Sequence, residues 1–207
     1  MPTECGLGGR GTDVVVRDDG ARDDGARDAR AALGRVRTTE DALALFDALP
    51  AAGVADVLGS WRGRGVPTGH PLDGLLELYG WHGKRFEGAD VAHPLVFADA
   101  RGRFAVDPAL VPLRLLVRLS GPLHDERVAG VLRGARRLRA TTRPRARLRT
   151  VRHRGVETAT MTYDALPVDD HFRRLDGDAL LGVMEARGVD RPFVFALHRE
   201  AGPPPRG

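Results

Sequence analysis

Arg143-Pro144-Arg145-Ala146-Arg147-Leu148-Arg149-Thr150 is the stretch whose pattern decides the fold. Four arginines alternate with Pro144, Ala146, Leu148 and Thr150. That period of two sets successive side chains on opposite faces of a strand, here arginine outward and apolar inward. Gly155 turns the chain into a second run, Val156–Tyr163, where Met161 and Tyr163 alternate with threonines. Val168–Leu175, Ala179–Ala186 and Phe193–Arg199 follow, separated from their neighbours by Pro167, Asp176-Gly177-Asp178 and Gly188. Asp-Gly between alternating runs is a hairpin signal. Five short strands joined by tight turns predict an antiparallel meander, which closes into a barrel or a sandwich.

The preceding half adds helices and further strands. Thr38 opens a helix with a capping pattern, because Asp41 lies three residues on. Ala42, Leu45, Phe46 and Leu49 give that helix one apolar face, and Pro50 and Gly53 end it. Val57–Val66 reads as a strand with glycines where backbones approach closely. Leu72, Leu75, Leu76 and Tyr79 form a second, shorter helical stripe. Trp81–Phe86 is the next strand. Leu95-Val96-Phe97 and Phe104-Ala105-Val106 make a hairpin around Asp99–Arg103. Residues 107–140 follow neither period: Leu110–Leu119 is apolar but contains Pro112, and a short helix fits after Pro122. Residues 1–37 repeat Arg-Asp-Asp-Gly-Ala at 17–21 and 22–26 and have little to bury, so they are expected to be a disordered tail. The glycines at 6–11 follow no strand and precede no P-loop Lys-Ser/Thr, so they are read as part of that tail.

The chain has 207 residues, enough for one domain with a sizeable core, and 42% of them are apolar. No run approaches the roughly 20 apolar residues that cross a bilayer, so no membrane insertion is expected. Near the N-terminus the longest apolar run is Val14-Val15-Val16, which implies no export signal. Cys5 is the single cysteine, so an internal disulfide is excluded and a reduced, cytoplasmic setting is expected. The net charge is +4, yet Lys84 is the only lysine among 32 basic residues. Such uniform arginine usage beside many Ala and Gly points to a GC-rich coding bias rather than to nucleic acid. Ten arginines and no acid lie between Arg133 and Arg154, but no aromatic residues are interleaved for base stacking. A solvated face is the expectation, and nucleic acid is not an expected partner.

Gly59-Ser60-Trp61-Arg62-Gly63 resembles the motif that names the GXWXG protein family. The resemblance continues through Trp81-His82-Gly83-Lys84-Arg85-Phe86 and His93-Pro94-Leu95-Val96-Phe97. The C-terminal part resembles the domain of unknown function 4334 that accompanies it, on Arg145–Arg149, Arg154-Gly155-Val156, Ala159–Asp164, Pro167–Phe172 and Leu181–Met184. The expected divisions are a tail over 1–37, the GXWXG domain over 38–110, a connecting segment over 111–140, the second domain over 141–200 and a tail over 201–207. The family is bacterial and implies no activity. A looser resemblance is to lipocalins, fatty-acid-binding proteins and nitrobindins, which open their barrels with a Gly-x-Trp strand. It implies a mostly β fold with a few short helices: one antiparallel calycin-like, or lipocalin-like, β-barrel built jointly by both segments. It further implies that Gly59, Trp61 and Gly63 are structural, that Arg199 packs on Trp61 by a cation–π contact, and that the Leu72–Tyr79 helix covers the mouth. Nitrobindins hold haem through a His on the last strand. Here Arg191 or Pro192 stands in that place, so no cofactor is expected.

Alternation places Phe193, Phe195 and Leu197 on one face of the last strand. With Tyr163 they are read as lining an apolar chamber, in which Lys84 or Arg199 meets an acidic head group. The expected ligand-binding residues are therefore Tyr163, Phe193, Phe195, Lys84 and Arg199, and the expected partner is a small apolar molecule such as a fatty acid or other lipid. Asp164, Asp169, Asp170 and His171 are the densest polar group in the meander. Asp169 and His171 share a face and supply the alternative, a barrel enzyme working by acid–base chemistry. That alternative requires both side chains to point inward; a surface turn is the simpler reading. No nucleophile–base pair is present, and no Cys/His cluster has zinc spacing, so neither catalytic nor metal-binding residues are expected. The oligomeric state is not legible.

Overall fold

Alternation drives the second half of the chain into strands where the sequence predicts them. They are β6 (Ala146–His153), β7 (Val156–Tyr163), β8 (Val168–Arg174), β9 (Ala179–Ala186) and β10 (Phe193–Arg199), each antiparallel to the next. The computed structural model describes residues 19–110, 117 and 120–202. The first half contributes β1 (Gly59–Gly65), β2 (Trp81–Gly88), β3 (Val91–Asp99) and β4 (Gly102–Val106), with a short β5 (Ala140–Thr141) beyond. Helices α1 (Asp19–Arg35), α2 (Thr39–Ala48), α3 (Val54–Val57) and α4 (Leu75–Leu78) lie before and between these strands. Two more, α5 (Ser120–Leu123) and α6 (Glu126–Ala135), precede β5.

Strand order β2-β1-β10-β9-β8-β7-β6-β3, with β2 also pairing β3, closes eight strands into a single antiparallel barrel. Both segments named above supply strands to it. Gly59–Gly63 and the last strand are direct neighbours: Trp61 pairs with Arg199 and Gly65 with Phe195. At this base Trp61 is 1% exposed, and its Nε1 donates to the Val57 carbonyl at 2.7 Å. The Arg199 guanidinium lies 4.2 Å from the Trp61 ring centroid and donates to the carbonyls of Leu58 and Asp56. Such a contact contributes about 0.5–2 kcal/mol. The lower barrel is filled with side chains, among them Phe86, Leu148, Met161, Phe172 and Leu180.

A second core lies outside the barrel. Phe46, Val36 and Leu49 pack on the outward residues Leu181, Val183, Val194 and Ala196. β9 and β10 are therefore buried on both faces, which explains why they read as continuous apolar runs rather than strict alternations. α2 is fixed there by the expected capping box, in which Thr38 Oγ1 accepts from the Asp41 amide and Asp41 accepts from the Thr38 amide. The expected tail over 1–37 is narrowed by this layer. Residues 19–35 are helical, Ala29 and Leu33 pack against the outer core, and Arg30 bonds Asp176 at 2.6 Å. Residues 17 and 18 of the repeat's first copy and the glycines at 6–11 lie outside the described residues.

Two glycines seat aromatic rings against the barrel wall. A Cβ on Gly63 would fall 2.2 Å from Trp81 Cη2, and one on Gly182 would fall 2.3 Å from Phe195 Cζ. Gly182→Ala is expected to destabilise the fold by roughly 1–3 kcal/mol through overpacking. Gly177→Ala, where nothing lies within 4 Å, is expected to stay within about 0.5 kcal/mol of the parent. Urea denaturation midpoints check both.

Candidate ligand chamber

β3 builds the site by leaving the barrel. It pairs with β6 only at Ala92↔Ala146, while Val96–Asp99 pair with β4 instead. Above Ala92 the wall between β3 and β6 therefore opens. Pro94 sits in the middle of β3 with no N–H to give a ladder, and its carbonyl accepts from Lys84 Nζ at 3.2 Å. On β2 the register shifts between Trp81 and Arg85. That irregularity brings Trp81, Lys84 and Phe86 all to buried positions, although strict alternation would place Trp81 opposite the other two.

Lys84 is 4% exposed and forms an ion pair with Asp170 Oδ2 at 2.7 Å. Its Nζ also donates to the Tyr163 hydroxyl at 3.4 Å, so all three N–H groups of the ammonium are engaged. The Phe195 ring centroid lies 4.8 Å from Nζ, and those of Trp81 and Tyr163 lie 5.7 Å away. Tyr163 donates to Asp170 Oδ2 at 3.5 Å. Burial, and then the neighbouring Asp170 charge, pushes the Tyr163 hydroxyl well above its ordinary range, so it stays a neutral donor. Burial also raises the Asp170 carboxyl, against the lowering effect of Lys84. Asp170 Oδ1 and Trp81 Nε1 are buried without a protein partner.

Beside this triad is a chamber of about 90 Å³ walled by Trp81, Tyr163, Met184, Phe193 and Phe195 and capped by Leu76 of α4. Leu75, Leu76 and Leu95 also line a larger vestibule of about 340 Å³ reaching Tyr79, Phe97 and Leu132. Among the described residues its charged members are Arg136 and Arg139. The Arg136 guanidinium lies 5.3 Å from the Phe97 ring centroid and donates to the Tyr79 carbonyl.

The structure thus gathers Tyr163, Phe193, Phe195 and Lys84 at one chamber. Arg199 does not line it. It belongs to the barrel base, where it borders an open cleft of about 940 Å³ beneath α1 and α2, with its donors committed to backbone carbonyls. Asp169 and His171 lie on the outer barrel face. Asp169 accepts from Thr162 Oγ1 at 2.6 Å, and His171 stacks on His153 with ring centroids 3.7 Å apart. Burial, then the adjacent His153, lowers the His171 pKa to about 4. The acid–base alternative needed both to point into the barrel; neither does, because their odd-numbered positions on β8 share the face opposite Val168, Asp170 and Phe172. The residue that sequence reasoning missed is Asp170. Its signal was present, since it stands two residues from Val168 and from Phe172 on the apolar face.

Residues 44–102 match the model of the GXWXG protein family, and residues 144–199 match that of a domain of unknown function (DUF4334). The chain combines a GXWXG segment with a DUF4334 segment. A crystal structure of a protein from Thermomonospora curvata is similar, with a TM-score of 0.63 and 27% identity. The match covers 86% of this chain and 99% of that one. No curated protein matches. No helix among the described residues is long and apolar enough to cross a membrane.

The GXWXG segment supplies Lys84 and the DUF4334 segment supplies Asp170, so their pair joins the two. Removing one partner strands a buried charge, whereas removing both does not. Lys84→Met and Asp170→Leu are each expected to cost about 3–5 kcal/mol, and the double variant markedly less than their sum. A denaturation double-mutant cycle measures this directly.

Proposed function

We propose that the protein binds a small amphiphile, such as a fatty acid, with its apolar end in the chamber and its polar end in the vestibule. The carrying observation is an apolar chamber at one end of a closed barrel, separated only by the shared side chains of Leu75, Leu76 and Leu95 from a vestibule that carries arginines, so that a ligand spanning both displaces those leucines. Pockets for small ligands are mostly apolar with a few placed polar groups. The chamber alone is smaller than the roughly 150 Å³ cavity that takes benzene. The vestibule falls in the range of roughly 300–1,000 Å³ that suits whole ligands.

Charge bookkeeping moves the expected head group. Lys84 is already neutralised by Asp170, and a second carboxylate beside that pair would be an uncompensated buried charge. Among the described residues, the charged ones at the vestibule, outside that buried pair, are Arg136, whose Nε and Nη1 bond backbone carbonyls, and Arg139, and an acid is expected to meet their charge there. The arginines of the alternating stretch support this reading over one based on nucleic acid. Arg145 pairs with Asp107, Arg147 with Asp164 and Arg149 with Asp90, so three of the four arginines of the stripe are neutralised locally. A cytoplasmic carrier is consistent with a single cysteine.

Native mass spectrometry of the purified protein and thermal shifts against fatty acids and matched alcohols test the proposal. A bound amphiphile or a raised melting temperature is expected, as ligand at about 100-fold over its Kd adds roughly 2.7 kcal/mol. Leu76→Trp is expected to abolish the shift, and Arg136→Gln to weaken acids more than alcohols. A bare mass together with a melting temperature that no ligand moves refutes the proposal.

A further inference from the structure

Three residues from separate strands meet on the outer barrel face: His153 at the end of β6, His171 on β8 and Glu185 on β9. One ligating atom from each lies within 4.8 Å of the others. Glu185 Oε1 is 3.9 Å from His153 Nε2, and Glu185 Oε2 is 3.9 Å from His171 Nε2. Those spacings are too long for hydrogen bonds. Donors on a tetrahedral zinc ion lie roughly 3.4 Å apart, given metal–ligand bonds of about 2.0–2.2 Å. The 3.9 Å pairs lie about half an ångström beyond that spacing and the 4.8 Å limit of the set about 1.4 Å beyond it, so binding requires the stacked rings to hinge open toward the carboxylate.

Further observations favour a cation here. His153 Nε2 is buried and has no protein partner, and the His153 side chain is 10% exposed. The Thr160 hydroxyl lies 2.9 Å from His171 Nδ1 and accepts from it when the ring carries its proton at Nδ1. That tautomer leaves the Nε2 lone pair of His171 facing a carboxylate, and Thr160 takes the position of the partner that orients a metal-bound imidazole. Burial holds both histidines in the neutral form that ligates metals. The nearby charges are Asp47, Asp169 and Glu185 against Arg154 and Arg173, an excess of one anion. Glu185, with its side chain 52% exposed, gives the pocket its opening to solvent.

We infer that His153, His171 and Glu185 form a binding site for a divalent ion of zinc type, with a fourth position open to water. Two imidazoles and one carboxylate select zinc or its transition-metal neighbours over magnesium and calcium, which prefer all-oxygen sites. The sequence conceals the site because the three ligands lie 18 and 14 residues apart, on three strands that only the barrel brings together. Its place beneath α2 gives it a structural consequence. Phe46 packs edge-on against His153 at 5.8 Å, so a bound ion would tie β6, β8 and β9 at the point where the outer layer docks.

The test is titration of the untagged, chelator-treated full chain with Zn²⁺ by calorimetry and with Co²⁺ by visible absorption. One equivalent is expected to bind, and Co²⁺ to develop tetrahedral d–d bands. His153→Ala and His171→Ala should each weaken binding by roughly 100-fold or more, and Thr160→Val by roughly 10-fold or more. Glu185→Gln alters a half-exposed side chain, so it should lose affinity while keeping the parent's metal-free melting temperature. Cys5→Ser should bind as the parent does. No uptake of either ion, or uptake that persists in the His153→Ala/His171→Ala double variant, overturns the assignment.

Discussion

A lysine ammonium and an aspartate enclosed in an apolar barrel form the constraint on which the structure turns. Lys84 and Asp170 are 3% and 0% exposed at the side chain. Ions removed from water in this way are tolerated only when their geometry is good and their remaining hydrogen-bonding capacity is met. Pro94, Tyr163 and three ring faces supply that environment around the ammonium, whereas on the aspartate Oδ2 is partnered and Oδ1 is not. Every one of these groups comes from a different strand than Lys84, except Trp81. The pair therefore forms only when the GXWXG and DUF4334 segments are folded together, which makes it a specifier of one assembled barrel.

Closure at the opposite end is what keeps that environment dry. Trp61 plugs the base, Arg199 covers its ring, and the lower interior is filled by Phe86, Phe172 and their neighbours. The remaining space is therefore confined to the end where β3 departs from β6. The same departure that frees the Pro94 carbonyl for Lys84 also opens the wall toward the vestibule. Chamber, charged pair and entrance thus follow from one irregularity in the sheet, a strand that changes partners halfway along its length.

Much of this was legible in the sequence. Alternation over 143–199 located all five closing strands, and the faces of Tyr163, Phe193 and Phe195 followed from position alone. Trp61 and Arg199 were placed together by resemblance to barrels that open with Gly-x-Trp. The misreadings share one physical cause, because a single sequence shows which face a residue takes but not what covers that face. Asp170 was grouped with a polar surface turn, though its face is the barrel interior. His171 was read as part of a surface turn, yet it is 5% exposed and stacks on His153. Leu181 and Val183 alternate with interior residues because the α1–α2 layer lies over them. The shift that brings Trp81 onto the side of Lys84 is invisible to a period-two reading.

The most direct test of the central claim uses the single lysine. Labelling lysine with nitrogen-15 at Nζ gives one NMR resonance, that of Lys84. If the ammonium is sealed beside Asp170 and walled by rings, its protons should exchange slowly at neutral pH, and its signal should carry ring-current shifts and move when an amphiphile binds. A rapidly exchanging resonance at the position of a solvated lysine would contradict the account.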